Sequence, residues 1–112
     1  MNRTLTTANL NILLDAEGFL ISLEDWNEQV ATELAKNERI NLSKEHWEIL
    51  ELVRSYYRDY QSSPANRALV KYTGIRLGKE KGRSIYLMSL FPDSPAKIAC
   101  KIAGLPKPDN CL

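Results

Sequence analysis

The chain has 112 residues, 44% of them apolar, with a formal net charge of +1, which is the size of one domain with material for one core and no need of disulfides or metal to hold it. Two cysteines, Cys100 and Cys111, are too few for a disulfide scaffold, and with His46 as the single histidine they fall short of a zinc site. No run of about 18 apolar residues is present and the first ten residues are polar, so a cytoplasmic protein without a membrane span is expected.

The first apolar-rich segments, 9–14 and 19–23, flank Asp15-Ala16-Glu17-Gly18 and predict an antiparallel hairpin closed by a glycine turn. Ser22-Leu23-Glu24-Asp25 reads as a helix start, and Trp26, Val30, Ala31 and Leu34 follow at helical spacing to about Asn37. A second helix starts at Ser43, carries Trp47, Leu50, Val53, Arg54 and Tyr57 on one face, and ends at Gln61-Ser62. Ser63-Pro64 offers a cap followed by proline at the first helical position, opening a third helix that turns Ala68, Leu69 and Tyr72 inward and stops before Gly78.

Residues 85–91 predict a short helix closed by Pro92. Ser94-Pro95 repeats the cap and proline, starting a last helix through Ala103 that Gly104 can terminate with positive φ. Pro106 and Pro108 bar regular structure beyond it. The expected fold class is therefore α+β: an amino-terminal β-hairpin or three-strand meander packed on about five short helices. One domain spans 1–112, with a partly ordered segment at 1–14 and a mobile carboxyl arm at 104–112 that carries Cys111.

A penultimate cysteine on a proline-containing tail is badly placed for packing and well placed for reaction. Seven residue steps separate Gly104 from Cys111, enough for the sulfur to reach roughly 20 Å from the domain or to fold back on it. Cys100 is eleven positions earlier, so a returning tail can bring the two sulfurs within bonding distance. Lys97 and Lys101 accompany Cys100, Lys107 precedes Cys111, and nearby cations favour thiolate over thiol, while Asp109 and the terminal carboxylate oppose it at Cys111. A thiolate can accept sulfane sulfur as a persulfide, and a second thiolate can discharge it. The alternatives are a buried small hydrophobe at 100 and a stray tail thiol at 111.

The charges are divided unevenly: residues 1–63 hold 6 Lys/Arg against 11 Asp/Glu, a net −5, and residues 64–112 hold 9 against 3, a net +6. A basic carboxyl half can meet an acidic surface, nucleic acid or an anionic sulfur species, and attraction between the two halves is the plainer alternative.

Arg83-Ser84-Ile85-Tyr86-Leu87, Leu90-Phe91-Pro92, Pro95-Ala96-Lys97 and Ala103-Gly104-Leu105-Pro106-Lys107-Pro108 leading to Cys111 resemble the DsrC/TusE family of sulfur-relay proteins. So do Asp15-Ala16-Glu17-Gly18-Phe19-Leu20, Glu45-His46-Trp47-Glu48 and Ser63-Pro64-Ala65-Asn66-Arg67. The resemblance implies a small sheet on a helical array, a persulfide on Cys111, and protein-to-protein sulfur transfer without a cofactor. It implies a donor complex of TusBCD or DsrEFH type. The acceptor is either the thiouridylase that makes 2-thiouridine at the tRNA wobble position or dissimilatory sulfite reductase, where sulfur leaves as a trisulfide bridging both cysteines. Cys100 leans toward the sulfite-reductase branch. Asp109-Asn110-Cys111 in place of the family's Thr-Gly-Cys, and Gly82-Arg83-Ser84 in place of Gly-Asn-Ser, leave the branch open. Lys97, Lys101, Lys107 and Arg67 are the candidates for positive potential near the thiols.

The rival from another class is a helix-turn-helix built from residues 43–60 and 64–77, with Arg67, Lys71 and Arg76 on the second helix. Positions 67 and 71 share a face and 76 is displaced, so solvated basic residues explain the pattern as well, and direct nucleic-acid binding is not the expectation. No Ser-His-Asp set or phosphate loop is evident, and His46 reads as structural.

Overall fold

The computed structural model describes residues 3–6 and 11–109, so Asn9 and Leu10 of the expected first strand and Cys111 of the tail lie outside the described residues. Two antiparallel strands, β1 (Arg3–Thr6) and β2 (Asn11–Leu14), precede a 3-10 turn at Leu23–Asp25 and five helices. These are α1 (Glu28–Asn37), α2 (Lys44–Tyr60), α3 (Asn66–Leu77), α4 (Ser84–Leu90) and α5 (Pro95–Ile102). The fold is α+β, as expected. Among the described residues no helix is long and apolar enough to cross a membrane.

The sheet departs from the expected hairpin. β2 pairs with β1, placing Leu5 opposite Ile12, and both are buried together with Leu14. Residues 19–23 form no strand and contribute a single bridge, Leu14 to Leu20. The turn between them does form, because the Asp15 carboxylate accepts from the amides of Glu17 and Phe19 at 2.9 and 3.0 Å. Two backbone hydrogen bonds flank that bridge, from the Asp15 amide to the Phe19 carbonyl at 2.8 Å and from the Ile21 amide to the Leu13 carbonyl at 3.2 Å, so the pairing is real but short, and Phe19 and Leu20 are buried.

Two helix starts are also displaced. Ser22 opens only the short 3-10 turn, and the chain extends at Trp26 and Asn27 before α1 begins. Asn27 is the cap: its side chain accepts from the Val30 amide at 2.9 Å. Ser63 does not cap α3, which starts after Ala65, because the Ser63 hydroxyl is spent on the Pro106 carbonyl at 2.6 Å. The starts at Ser43 and Ser94-Pro95 stand where expected. At the second of these Ser94 makes no capping bond, and Asn66 on α3 accepts from the Ala96 amide at 2.9 Å instead.

α5 is the centre of the assembly and packs against each of α1 to α4. Ala96, Ala99, Cys100 and Ile102 are all buried, and a helix enclosed on most sides belongs inside. Small side chains at 96 and 99 let its neighbours approach. Phe19, Val30, Leu34, Ile49, Leu50, Leu69, Leu87 and Phe91 are buried with it, each worth about 1.5–3 kcal/mol relative to exposure. At the edge of this core α3 meets the loop before α4 through backbone. A Cβ on Gly82 would collide with the Gly74 Cα and lie 2.6 Å from its nitrogen.

Candidate functional site

The carboxyl end of α5 is where the tail begins, and its backbone groups are satisfied one by one. The Ala99 carbonyl accepts from the Ala103 amide at 2.9 Å, the Cys100 carbonyl from Leu105 at 2.9 Å, and the Lys101 carbonyl from Gly104 at 3.1 Å. This is a Schellman closure with Gly104 at φ 75°, as the sequence predicts, and with Leu105 buried beneath it. The two remaining carbonyls take donors from elsewhere in the chain. Ile102 accepts from the Trp26 indole at 2.8 Å, and Ala103 accepts from the Arg54 guanidinium at 2.7 Å.

Trp26 and Arg54 form one unit. The guanidinium carbon lies 3.9 Å from the centre of the Trp26 ring, a cation–π stack. Burial pulls Arg54 below the ordinary arginine value, with Arg58 adding to the effect. Gly104 faces the same indole, and a Cβ there would collide with Cδ1 and lie 2.6 Å from Cγ. Beside the pair a cleft of about 390 Å³ is lined in part by Trp26, Trp47, Leu50, Arg54 and Arg58.

Residues 104–108, expected as the first half of a mobile arm, are laid against the body. Leu105 and Pro108 are buried, the Pro106 carbonyl is held by Ser63, and Lys107 Nζ lies 3.1 Å from Glu17 Oε1. Lys97 on α5 approaches the same oxygen at 3.8 Å, so one carboxylate ties the tail to the helix it has just left. The apolar side chains at 105 and 108 gain burial that an extended arm would forfeit.

The candidate residues named from sequence fall into four groups. Cys100 is buried on α5 at the point where the tail turns back. Cys111 lies outside the described residues, two positions past the last of them. Lys97, Lys101 and Lys107 gather around Glu17 and Glu38, with Lys101 3.2 Å from Glu38 and its Nζ 5.2 Å from the centre of the Phe19 ring. Their charges are matched by carboxylates of the first half. Four of the five ion pairs among the described residues join the two halves, so attraction within the chain accounts for much of the charge asymmetry. Arg67 is exposed on α3 and lines a groove against Ser84, with no bond to the tail among the described residues.

Arg67, Lys71 and Arg76 do not form one reading face. Arg76 donates to the Tyr72 hydroxyl at 2.6 Å and reaches Ser55 on α2, while Arg67 and Lys71 are exposed along the other groove. The helix-turn-helix alternative is not favoured. His46 is structural, as expected: Nδ1 accepts from the Ser43 amide at 3.0 Å, which leaves Nε2 to donate to the Leu90 carbonyl at 2.8 Å. It caps α2 and pins it to α4. Among the described residues no cluster of His, Cys, Asp and Glu could hold a metal ion.

By their spacing Trp26 and Arg54 read as helix-face residues, whereas the structure places both at the root of the tail. The available signal was an arginine among the apolar positions of α2, between Leu50 and Tyr57, where a charge needs a specific partner.

Comparison with known proteins agrees with the geometry. Residues 6–112 match the family described as DsrC like protein. Sulfurtransferase TusE of Escherichia coli K12 is 51% identical over 98 residues, covering 88% of this chain and 90% of that protein. Sulfurtransferase TusE of Sodalis glossinidius is 52% identical over 101 residues, covering 90% and 94%. The NMR structure of DsrC from Allochromatium vinosum superposes with a TM-score of 0.90 at 48% identity over the whole of both chains. The oxidized gamma-subunit of dissimilatory sulfite reductase (DsrC) from Archaeoglobus fulgidus gives 0.85 at 40% identity, covering 98% of this chain and all of that one. With its fold shared from end to end and its sequence matched over nearly its whole length, this chain belongs to the DsrC-like family.

Proposed function

We propose that this chain is a sulfur carrier of a persulfide relay, in which Cys111 bears the transferred sulfur and Cys100 is the resolving or bridging thiol. The observation that carries the reading is the rooting of the tail. Every backbone group at the end of α5 is held, and Ser63 and Glu17 seat the chain as far as Lys107, so the last residues leave from a defined point. A stray terminal cysteine needs no such anchorage. The relatives named sulfurtransferase and DsrC support the class of chemistry.

The chemistry needs no cofactor. The Cys111 thiolate attacks the outer sulfur of a partner's cysteine persulfide, a new S–S bond forms at Cys111, and the old one breaks to release the partner's thiolate. The proton stays on the transferred sulfur and nothing is oxidised or reduced overall. For discharge within the chain, the Cys100 thiolate attacks the inner sulfur of the Cys111 persulfide, giving a disulfide and releasing hydrosulfide. Cys100 is buried on α5, so it reacts with sulfur brought by the tail only when local opening uncovers it. Lys97, Lys107 and Glu17 help to seat that tail.

The setting is a cytoplasm that keeps thiols reduced. The donor is a complex of TusBCD or DsrEFH type. The acceptor is a tRNA thiouridylase or dissimilatory sulfite reductase: the TusE relatives at half identity favour the first, and the presence of Cys100 favours the second.

The test is intact-protein mass spectrometry after incubation with a persulfide donor, on wild type, Cys111→Ala and Cys100→Ala, with and without reductant. A reducible gain of one sulfur that requires Cys111 supports the carrier. A bridged form that also requires Cys100 supports the sulfite-reductase branch, and an inert Cys100 supports the tRNA branch. Absence of sulfur on Cys111 with every donor overturns the reading.

A further inference from the structure

We propose that Trp26 and Arg54 are positioning residues for sulfur transfer, fixing the direction in which the tail leaves α5 and so the line along which Cys111 meets a partner's persulfide. This rests on the carrier reading above. The first observation is completeness. The internal closure of α5 satisfies the carbonyls of Ala99, Cys100 and Lys101, and the two that it leaves, Ile102 and Ala103, are taken by the Trp26 indole and the Arg54 guanidinium at 2.8 and 2.7 Å. These are consecutive peptide planes. Holding both sets the orientation of the chain as it enters Gly104.

The second observation is cost. Arg54 is partly buried, is stacked on Trp26 at 3.9 Å, and has no carboxylate within ion-pair distance among the described residues. Desolvating a guanidinium to serve a neutral carbonyl is expensive, and an apolar side chain would pack α2 against Trp26 more cheaply. What the arginine adds is a directed donor. The third is the break in the chain before α1: Trp26 leaves the helical path at φ −77° and ψ 137°, and its indole then spans Ile102 and the bare Cα of Gly104. Trp26 is thus both a donor and a wall.

Transfer requires the thiolate of Cys111 to approach the outer sulfur in line with the S–S bond that breaks. A misplacement of about 1 Å can cost such a step a hundredfold in rate. A small persulfide is free to find its own approach, whereas a protein-bound one is held and depends on the carrier's geometry.

The experiment uses the full chain as wild type, Trp26→Phe, Arg54→Met and Arg54→Lys. Each is loaded at Cys111 either from glutathione persulfide or from the persulfidated donor complex proposed above, with amide hydrogen exchange at Gly104 and Leu105 as a report on the root. The expected result is loading from glutathione persulfide within about twofold of wild type for all three variants. From the protein donor, Trp26→Phe and Arg54→Met lose about tenfold or more in kcat with KM little changed, exchange at Gly104 and Leu105 quickens, and Arg54→Lys recovers part of the loss. Faster exchange with an unchanged kcat overturns the positioning role and leaves a structural one. A rise in KM alone overturns it in favour of a docking contact. A wild type loaded by glutathione persulfide but not by the protein donor overturns the positioning role alone. A wild type that takes sulfur from neither donor overturns the carrier reading and this proposal with it.

Discussion

At the carboxyl end of α5 each of the last five carbonyls has a donor, two of them supplied by side chains from distant segments. Elsewhere in the body the treatment is different. The Thr73 hydroxyl on α3 and the Tyr86 hydroxyl on α4 are buried without a hydrogen-bond partner among the described residues, and α3 meets the loop before α4 through two glycines. An unpaired buried hydroxyl costs about 1–3 kcal/mol, which the chain tolerates where only packing is at stake. Where the orientation of a backbone matters, the polar groups are all accounted for. The root of the tail is a directed structure, and the contact of α3 with the loop before α4 is a close fit.

The largest effect is expected at Gly104. Alanine there meets the Trp26 ring and must also hold φ at 75°, so destabilisation by about 3 kcal/mol is expected from denaturant unfolding. A loss under about 1 kcal/mol would mean that the indole yields easily and that the root is softer than its hydrogen bonds indicate. Gly82→Ala comes next, at about 2 kcal/mol, because the obstacle is the Gly74 backbone and not a movable side chain. Its melting temperature should fall while exchange at Gly104 and Leu105 stays slow, which separates the two regions.

The smallest effect, and the one of opposite sign, is expected at Tyr86. Tyr86→Phe removes an unpaired hydroxyl and should be neutral or stabilising by about 1 kcal/mol, as should Thr73→Val. Desolvation holds the Tyr86 phenol above its ordinary value, with Lys81 acting against it. The folded state therefore keeps this proton longer than the unfolded chain does. Stability is full below the ordinary tyrosine value of about 10 and declines as pH rises from there through the folded value. Tyr86→Phe should flatten that alkaline decline, and an unchanged slope would show that the phenol is better solvated than its position indicates.

Much of this architecture is legible in local patterns. The helical spacing of Leu50, Val53 and Tyr57, the Ser43 start, and the proline start and glycine stop around α5 each depend on residues within a turn of one another, and each appears where the pattern places it. The misreadings share a cause. Ser22 and Ser63 carry the right side chain for a cap, but Asn27 competes for the first and the Pro106 carbonyl, 43 positions away, claims the second. The expected second strand at 19–23 shortens to a bridge at Leu20 with hydrogen bonds on either side, because the chain turns into the 3-10 segment at Leu23.

The family, the helical inventory and the two thiols could be named from the chain alone, because they rest on residue identity and on periodicities of three to four. Only the tertiary structure decided that Lys97 and Lys107 share Glu17, that α5 lies at the centre with Cys100 buried in it, and that Trp26 and Arg54 hold the root of the tail. The ion pairs and hydrogen bonds among them join residues from 49 to 90 positions apart. A partner at such a distance leaves no periodic trace in a single sequence, since a carbonyl in need of a donor belongs to every residue alike and only folding selects which one is left unpaired.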